Sequence, residues 1–504
     1  MKKINYTRII FVIFIFVGTR FIGLSQTLTY PIVGTGVSLC YGNSGAITCP
    51  TNTTDAFYGQ FHGITPAYQN NGNGTISDLN TGLMWIQSRG TKISWDSAFI
   101  MAAQCTIGGY NDWRVPSIKE LYSLMKFTGK SGATHSACSA YIDTTYFGWA
   151  TGTGDGVSTG QRIIDAQDWS ATEYKGLTMI GDTTIFGLNT VDGRIKGYPK
   201  YQHPGNTNNR MFVRYVRGNI NYGINNFVDN SDSTITDIAT AFMWGKYDSQ
   251  VGMNWQTALA WAQTKNYANY CGHNDWRLPN AKELQSIVDY SRSLDATGSA
   301  AINPVFNCTS IIDEGGNTNY PWYWTSTTHL DNMGGIYIAF GEALGWMKSP
   351  PASTYYTLLD VHGAGAQRSD PKSGSYTSYY LGLDQSGNSV YGLGPQGDVI
   401  RINNFVRLVR DDSSVTGMNE IKNKNLLNIY PNPIIDNCTI SFKDNISQQT
   451  IVVYDLLGNK IKEISNIDSK SIEIDFTEIP NGVYILSATS NRGIIFNKKL
   501  IIAK

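Results

Sequence analysis

The stretch GGYNDWRVPSIKELYSLM at residues 108–125 returns later in the chain as CGHNDWRLPNAKELQSIV at residues 271–288. The two stretches share Asn-Asp-Trp-Arg, a proline and Lys-Glu-Leu at identical internal spacing. The offset between Trp113 and Trp276 is 163 residues (276 − 113), which is too long for a solenoid repeat and about the length of a whole domain. The sequence therefore predicts a tandem duplication of one domain.

The repeated stretch is predicted to begin a helix. Ser117 stands three residues before Glu120, and Asn280 stands three residues before Glu283, which is the spacing of a capping box. The apolar residues that follow each box fall on one helix face. We expect the tryptophan before each box to be buried and the neighbouring arginine to pair with a local carboxylate. These residues are Trp113, Arg114, Trp276 and Arg277.

The similarity extends to both sides of this stretch. Upstream, NGNGTISDLNTGLMW (71–85) matches DNSDSTITDIATAFMW (229–244), a turn followed by a strand. A helix is predicted next, with Ser94 or Asn254 as its N-cap. Downstream, DWSATEY and YWTSTTH, and then FVRYVRG and FVRLVRD, are short and rich in strand-forming residues. Each repeat is thus predicted to be an α+β domain.

The amino terminus has the pattern of a secretory signal. A basic start precedes an apolar run at residues 9–17, and small residues follow at 23–25. A membrane anchor is the alternative, but this run is about half as long as a bilayer requires. We therefore expect residues 1–25 to be removed and no membrane span to remain.

The charge balance argues against one class of partner. The chain carries 39 Lys and Arg and 39 Asp and Glu, and removal of residues 1–25 takes away four basic residues, which leaves 35 against 39. Nucleic-acid binding requires clustered cations that displace counterions from the phosphates. We expect no nucleic-acid partner and no general attraction to sulfated polymers, although a local basic patch is compatible with this balance.

Seven cysteines in an exported chain indicate disulfide bonds. Local pairing within each unit is the simplest connectivity, and it leaves Cys438 without a partner. Metal ligation is the alternative, but the chain has no Cys-x-x-Cys pair. The predicted bonds join Cys40 to Cys49, Cys105 to Cys138 and Cys271 to Cys308.

Taken in order, NGNGTISDLNTGLMW, GGYNDWRVPSIKEL, WSATEY and FVRYVRG resemble the Lcl C-terminal-like domain of bacterial surface proteins. Both repeats carry the pattern, and residues 40–60 are similar to a segment that often precedes this domain. The resemblance covers roughly residues 28–411. It implies that each repeat has a fold related to C-type lectin-like domains, and it implies adhesion to glycans, the role of the founding members.

Residues 426–504 carry a second resemblance. Tyr-Pro-Asn-Pro at 430–433, Leu-Gly-Asn-Lys at 457–460 and Asn-Gly-Val-Tyr at 481–484 resemble a type A C-terminal sorting domain of the type IX secretion system. Four short apolar runs separated by Asn, Gly and Pro are typical of a small immunoglobulin-like β-sandwich, and an ordinary spacer of that fold is the alternative. The resemblance implies contact with the secretion machinery through residues 426–504 and a secreted or outer-membrane surface location, reached through the periplasm.

The predicted organisation follows from these resemblances. It comprises a signal peptide at 1–25, a disulfide-bearing lead-in segment at 26–66, a first repeat at 67–218, a second repeat at 219–411, a linker at 412–425 and a sorting domain at 426–504.

Catalytic patterns are missing from the sequence. None of the six histidines is shared between the repeats, and no Gly-x-Ser-x-Gly, His-Glu-x-x-His or phosphate-binding loop occurs. The acidic segment at 229–237 has the alternation of a calcium loop but not its glycine and distal glutamate, so a turn is favoured. We expect no enzymatic activity, no cofactor and no metal ion.

Aromatic residues that do not recur between the repeats are the candidates for sugar stacking, since a flat apolar face with a polar rim suits a sugar ring. Trp322, Tyr323 and Trp346 meet this criterion, with core packing as the alternative for each. The sequence thus predicts an exported surface binding protein, an adhesin for glycans or other surface ligands. A structural or protein-interaction module without sugar specificity is the alternative.

Overall fold

The computed structural model of the protein describes residues 28–48, 62–152, 162–202, 207–412, 427–442, 449–455, 460–467, 469–489 and 495–504. They form two compact units, one within residues 28–413 and one within residues 414–504. The predicted signal peptide, Cys49 and nearly all of the predicted linker lie outside the described residues. Within the described part, no helix is long and apolar enough to span a membrane.

The described residues of the lead-in segment and the first repeat form eleven strands and two α-helices. The strands are β1 (Cys40–Tyr41), β2 (Ala46–Ile47), β3 (Tyr68–Asn70), β4 (Thr75–Asp78), β5 (Leu83–Ile86), β6 (Gln167–Thr178), β7 (Asp182–Asn189), β8 (Arg194–Pro199), β9 (Tyr201–Gln202), β10 (Thr207–Asn208) and β11 (Val216–Gly218), and the helices are α1 (Trp95–Gln104) and α2 (Ile118–Ser123).

The second repeat has the same succession of elements with additional short strands. Its strands are β12 (Phe227–Asp229), β13 (Thr234–Asp237), β14 (Phe242–Gly245), β15 (Ile311–Ile312), β16 (Thr318–Asn319), β17 (Trp322–His329), β18 (Gly334–Ala339), β19 (Leu344–Met347), β20 (Thr357–Asp360), β21 (Gln367–Asp370), β22 (Tyr380–Leu383), β23 (Ser389–Tyr391) and β24 (Val409–Asp411), and its helices are α3 (Trp255–Tyr267), α4 (Ala281–Ser286) and α5 (Leu294–Thr297).

The duplication is visible in the sheets. Each repeat has its own four-stranded antiparallel sheet, with order β3-β4-β5-β11 in the first and β12-β13-β14-β24 in the second. The remaining long strands of both repeats join into one six-stranded sheet with order β17-β18-β21-β8-β7-β6. The junction lies between β8 and β21, where Ile195 is opposite Gln367. Because the central strands come from different repeats, the repeats form one body rather than two separate domains.

The signature helices α2 and α4 begin as the sequence predicts. Ser117 accepts a hydrogen bond from the backbone of Glu120, whose carboxylate accepts one from the backbone of Ser117. Asn280 and Glu283 make the same reciprocal pair. Both capping boxes are confirmed. The N-caps of α1 and α3, Ser94 and Asn254, are confirmed as well.

The other signature residues have structural partners. Trp113 and Trp276 are buried, as predicted. Arg114 pairs with Glu120 at 2.7 Å and Arg277 pairs with Glu283 at 2.5 Å, so the local carboxylate that the sequence predicts is the glutamate of the capping box. The aspartate before each tryptophan pairs with an arginine of the last strand of its repeat, Asp112 with Arg217 and Asp275 with Arg410, each at 2.6 Å.

The lead-in segment covers the signature helix of the second repeat. Nδ1 of His62 lies 2.7 Å from the carboxylate of Glu283, and its Nε2 lies 3.0 Å from the carboxylate of Asp411. The side chain of Asn280 donates to the carbonyl of His62. Glu283 is fully buried in this group, whereas Arg114 in the first repeat keeps a third of its side chain exposed, at 33%.

The described part of the unit within residues 414–504 contains the strands β25 (Leu427–Tyr430), β26 (Asn437–Phe442), β27 (Gln449–Tyr454), β28 (Lys460–Ile467), β29 (Ser471–Asp475), β30 (Gly482–Thr489) and β31 (Ile495–Ile502). They form two antiparallel sheets, β25-β26-β29 and β28-β27-β30-β31. One hydrophobic core draws on both sheets, including Ile440 and Ile474 from the first and Val453 and Leu486 from the second.

The predicted fold class, α+β with C-type lectin-like repeats, is wrong. The protein is mostly β-sheet, with 37% of residues in strands and 13% in helices, and its strands are spread over many small sheets. The capping boxes explain the error. They mark strong helix starts, but α2 and α4 end after six residues each. The capping boxes therefore predict a higher helix content than the chain has.

Candidate functional site

A cleft of about 670 Å³ lies over the junction between the two repeats. The first repeat lines it with residues of β8 and the second with residues of β18 and β21. The loop 393–400, which follows strand β23, forms one wall. Since β8 and β21 are neighbours in the shared sheet, neither repeat could form this cleft alone.

The first repeat contributes two cations to the floor of the cleft. Arg194 and Lys196 are two residues apart on β8, so their side chains share one face of the sheet. The Lys196 ammonium donates to the buried carboxylate of Asp192 at 2.7 Å, and Arg194 donates to the backbone carbonyl of Asp192 at 3.2 Å. Two cations thus share a single carboxylate.

The second repeat contributes a third cation. Arg368 on β21 forms an ion pair with Asp398. Nε2 of His362 lies at hydrogen-bond distance, 2.9 Å, from the same carboxylate. Burial, followed by repulsion from Arg368 and Lys196, lowers the pKa of His362 well below its ordinary value. The imidazole is therefore neutral at physiological pH and adds no charge.

The three cations of the floor, Arg194, Lys196 and Arg368, repel one another. Burial, and then repulsion from Arg368 and Arg194, lowers the pKa of Lys196 to about 8 against the attraction of Asp192. Burial, followed by Arg194, lowers the pKa of Arg368 to about 10. Burial also raises the pKa of Asp370, on the same strand as Arg368, to about 7, which weakens a neighbouring negative charge. An anion in the cleft would be attracted by these three cations, which are otherwise paired with Asp192 and Asp398.

Several polar atoms of the floor lack a hydrogen bond. Among the residues that the structure describes, Oδ1 of Asp192, Nε of Arg194, Nδ1 of His362 and Nη1 of Arg368 have no partner in the protein. These four atoms are buried and belong to residues that line the cleft, so the floor of the cleft is polar. The cleft can hold a polar, negatively charged group.

The structure places two of the candidate sugar-stacking residues in the core. Trp322 stacks on Tyr337 at 4.6 Å, and the guanidinium of Arg401 covers it at 4.0 Å from the ring centre. Tyr323 is fully buried and donates to Asp248 at 2.6 Å. The expectation of exposed faces on these two rings is thereby corrected. Trp346, on β19, is partly exposed. A role in ligand binding stays a prediction for all three.

The cleft residues were missed because they do not belong to the repeated signature. Arg194 and Lys196 occur in GRIKG and Arg368 in AQRSD, two segments with little similarity in sequence. The usable signal was alternation, since Arg194 and Lys196 stand at i and i+2, and residues so spaced in a strand share one face. Their proximity to Arg368 depends on the pairing of β8 with β21, which no local pattern predicts.

The predicted disulfide framework is not confirmed. Cys105, Cys138, Cys271 and Cys308 carry free thiols, and each packs against a different hydrophobic cluster. The thiol of Cys138 is held by Gly132 and Thr134, and that of Cys308 lies 3.1 Å from the Tyr323 hydroxyl. The pair of Cys40 and Cys49 involves a residue outside the described part of the chain.

The acidic segment at 229–237 forms a turn. Asp232 accepts from the backbone of Thr234 at 3.0 Å, and Asp229 accepts from the backbone of Ser231 at 2.9 Å. Across the described ranges, no group of three or more His, Cys, Asp or Glu is arranged to hold a metal ion.

Comparison with known families agrees with this architecture. The model of the Lcl C-terminal domain matches residues 74–217 and 233–359, which together exceed half of the chain. The chain belongs to the Lcl C-terminal domain family. The model of the secretion system C-terminal sorting domain matches residues 428–503. This tandem Lcl protein is therefore a secreted or outer-membrane surface protein handled by type IX secretion.

Comparison with individual proteins is less informative than comparison with families. Ulvan lyase NLR42 from Nonlabens ulvanivorans is 40% identical over 75 residues, which are 15% of this chain and 14% of that protein. The sequence patterns predict that the Lcl protein is not an enzyme. This partial match to a protein named as a lyase overturns that expectation, because it leaves enzymatic function open. A solved extracellular domain of the hybrid two component system BT3049 from B. thetaiotaomicron aligns with 86% of this chain and 55% of its own at 10% identity, but its TM-score of 0.09 carries no argument.

Proposed function

We propose that this surface protein binds acidic polysaccharide in the cleft between its repeats and thereby adheres to polysaccharide-coated surfaces. The observation that carries the proposal is the cation group of Arg194, Lys196 and Arg368, contributed by both repeats to one cleft. Carboxylate and sulfate groups are the acidic groups that polysaccharides carry, and guanidinium and ammonium donors bind both. The name of the ulvan lyase relative also points to polysaccharide.

The size of the cleft supports a saccharide ligand. Its volume of about 670 Å³ lies within the ordinary range for sites that hold small ligands. The lining is rich in charged and polar residues, which suits a ligand that carries hydroxyl groups as well as an acidic group. The whole protein has equal numbers of acidic and basic residues, so this attraction is local to the cleft.

The test is equilibrium binding of three polymers to the chain without its signal peptide. Dextran sulfate and dextran share a backbone and differ in sulfate, and polygalacturonate supplies carboxylates. We expect both acidic polymers to bind and dextran to bind weakly. We expect Lys196→Gln to lower the affinity about tenfold, because a charge-assisted contact contributes roughly 1.5–3 kcal/mol.

Lys265→Gln is the matched control, since it removes the same charge from helix α3, away from the cleft. Both variants must remain folded at the assay temperature, which their melting temperatures establish. Equal binding of dextran and dextran sulfate, or unchanged affinity in Lys196→Gln, would contradict the proposal. The size distribution of each polymer is recorded after incubation, so that cleavage is detected in the same experiment.

A further inference from the structure

The second repeat carries a tyrosine-rich hairpin formed by β22 and β23. The turn between these strands is held by Asp384, whose carboxylate accepts from the backbones of Ser386 and Asn388 at 2.9 and 2.8 Å. Behind the hairpin, the ring of Tyr356 lies against Gly382, where an added Cβ would come within 2.8 Å of it. The hairpin is thus fixed in position by its turn and its support.

Two tyrosines of this hairpin and one of the helical turn before it form an aromatic group, called here the tyrosine platform: Tyr380, Tyr391 and Tyr376. The ring of Tyr391 packs edge to face with Tyr376 at 5.3 Å and with Tyr380 at 6.0 Å. Tyr376 and Tyr380 nevertheless remain 51% and 57% exposed. Edge-to-face packing of this kind leaves ring faces available to solvent while it restricts the rotation of the side chains.

The tyrosine platform continues into the wall of the cleft. Tyr391 is followed directly by Gly392, whose backbone is so close to Gly397 that a Cβ would lie 2.3 Å from the Gly397 carbonyl oxygen. The loop between them, including Leu393 and Gly394, lines the cleft. The platform and this wall of the cleft are therefore joined by consecutive residues, from Tyr391 through Gly392 to Leu393.

We infer that the tyrosine platform binds sugar rings of the same polysaccharide chain whose acidic group occupies the cleft, so that the ligand is an extended polymer rather than a single terminal sugar. This inference rests on the proposed function. Tyrosine offers an apolar ring face and a hydroxyl rim, which match the apolar face and the hydroxyl edge of a pyranose. Two contacts on one polymer reinforce each other, because the first holds the second segment at high effective concentration.

The test compares long dextran sulfate with short sulfated oligosaccharides of the same backbone on wild type, Tyr376→Ala and Tyr380→Ala. We expect the variants to lose roughly three- to tenfold in affinity for the long polymer and to bind the short oligosaccharide like wild type. Tyr267→Ala is the matched control, since Tyr267 is 90% exposed on helix α3, and it should bind both ligands like wild type.

The outcomes separate this inference from the proposed function. If wild type binds no acidic polymer, the proposed function fails. If wild type binds and Lys196→Gln loses binding, but both tyrosine variants retain full affinity for the long polymer, only the platform is overturned. Sedimentation velocity is run on the same samples. A change in oligomeric state in Tyr380→Ala would assign the platform to contacts between copies of the chain and would also overturn the inference.

Discussion

The ammonium of Lys119 donates a hydrogen bond of 2.7 Å to the carbonyl of Ser286, the last residue of the signature helix in the other repeat. The second repeat returns the same contact, since Lys282 donates to the carbonyl of Ser123 at 2.7 Å. The lysine of the shared Lys-Glu-Leu motif thus joins the repeats and satisfies a free helix end. The duplication retains this motif because each copy binds the other.

The buried lysine predicts a pH dependence of stability. Burial lowers the pKa of Lys282 to about 7, whereas an unfolded lysine titrates near 10.4. Between these values the unfolded chain binds more protons, so the free energy of unfolding rises with pH. We expect Lys282→Met to reduce that rise by up to about 1.4 kcal/mol per pH unit. All 12 tryptophans precede residue 347, so tryptophan fluorescence in urea reports on the repeats.

Lys265→Met is the control for this measurement, because Lys265 lies near the end of helix α3 rather than between the repeats. Its pH profile should follow wild type. A Lys282→Met profile parallel to wild type would show that Lys282 remains charged in the folded protein.

The two capping boxes should differ in energy. Glu283 is fully buried and holds both Arg277 and His62, so Glu283→Ala leaves two polar groups in the interior with weaker partners. We expect a loss of about 3–5 kcal/mol. In Glu120→Ala, the partly exposed Arg114 is hydrated instead, and we expect a loss of about 1–2 kcal/mol. The free energy of unfolding is measured in urea. Equal losses in Glu283→Ala and Glu120→Ala would contradict a stabilising contact between the lead-in segment and Glu283.

The thiol of Cys438 should be unreactive. It is buried in the core of the sorting domain, and burial raises its pKa to about 11. The thiolate is the reactive form, so we expect slow alkylation by iodoacetamide at neutral pH in the folded chain and rapid alkylation after denaturation. Peptide mapping by mass spectrometry measures the two rates. Fast labelling of the folded protein would place Cys438 at the surface.

Export should depend on the C-terminal unit. Deletion of residues 426–504 removes the matched sorting domain and leaves the unit within residues 28–413 complete. We expect the shortened protein to accumulate in the periplasm and the full-length protein to reach the surface. Cell fractionation with protease accessibility distinguishes these locations. Surface display of the shortened protein would mean that another part of the chain directs export.

Local patterns predicted local structure well. Ser117 with Glu120, and Asn280 with Glu283, identified both helix starts because a capping box is complete within four residues. The boxes do not show that α2 and α4 end after six residues each, so they predicted more helix than the chain forms. The cleft depends on the pairing of Ile195 with Gln367, which are 172 residues apart (367 − 195), so its cations could not be grouped in advance. The sequence left core packing and sugar stacking both open for Trp322, because Tyr337 and Arg401, which cover its ring, come from other segments.

The central claim is that both repeats build one binding cleft, and the stoichiometry of binding tests it most directly. Isothermal titration of the chain with a short sulfated oligosaccharide, too short to reach the tyrosine platform, counts the sites. The shared cleft predicts one site per chain, whose affinity falls about tenfold both in Lys196→Gln in the first repeat and in Arg368→Gln in the second. Two equivalent sites per chain, each lost with only one of these variants, would show that each repeat binds separately and would contradict the account.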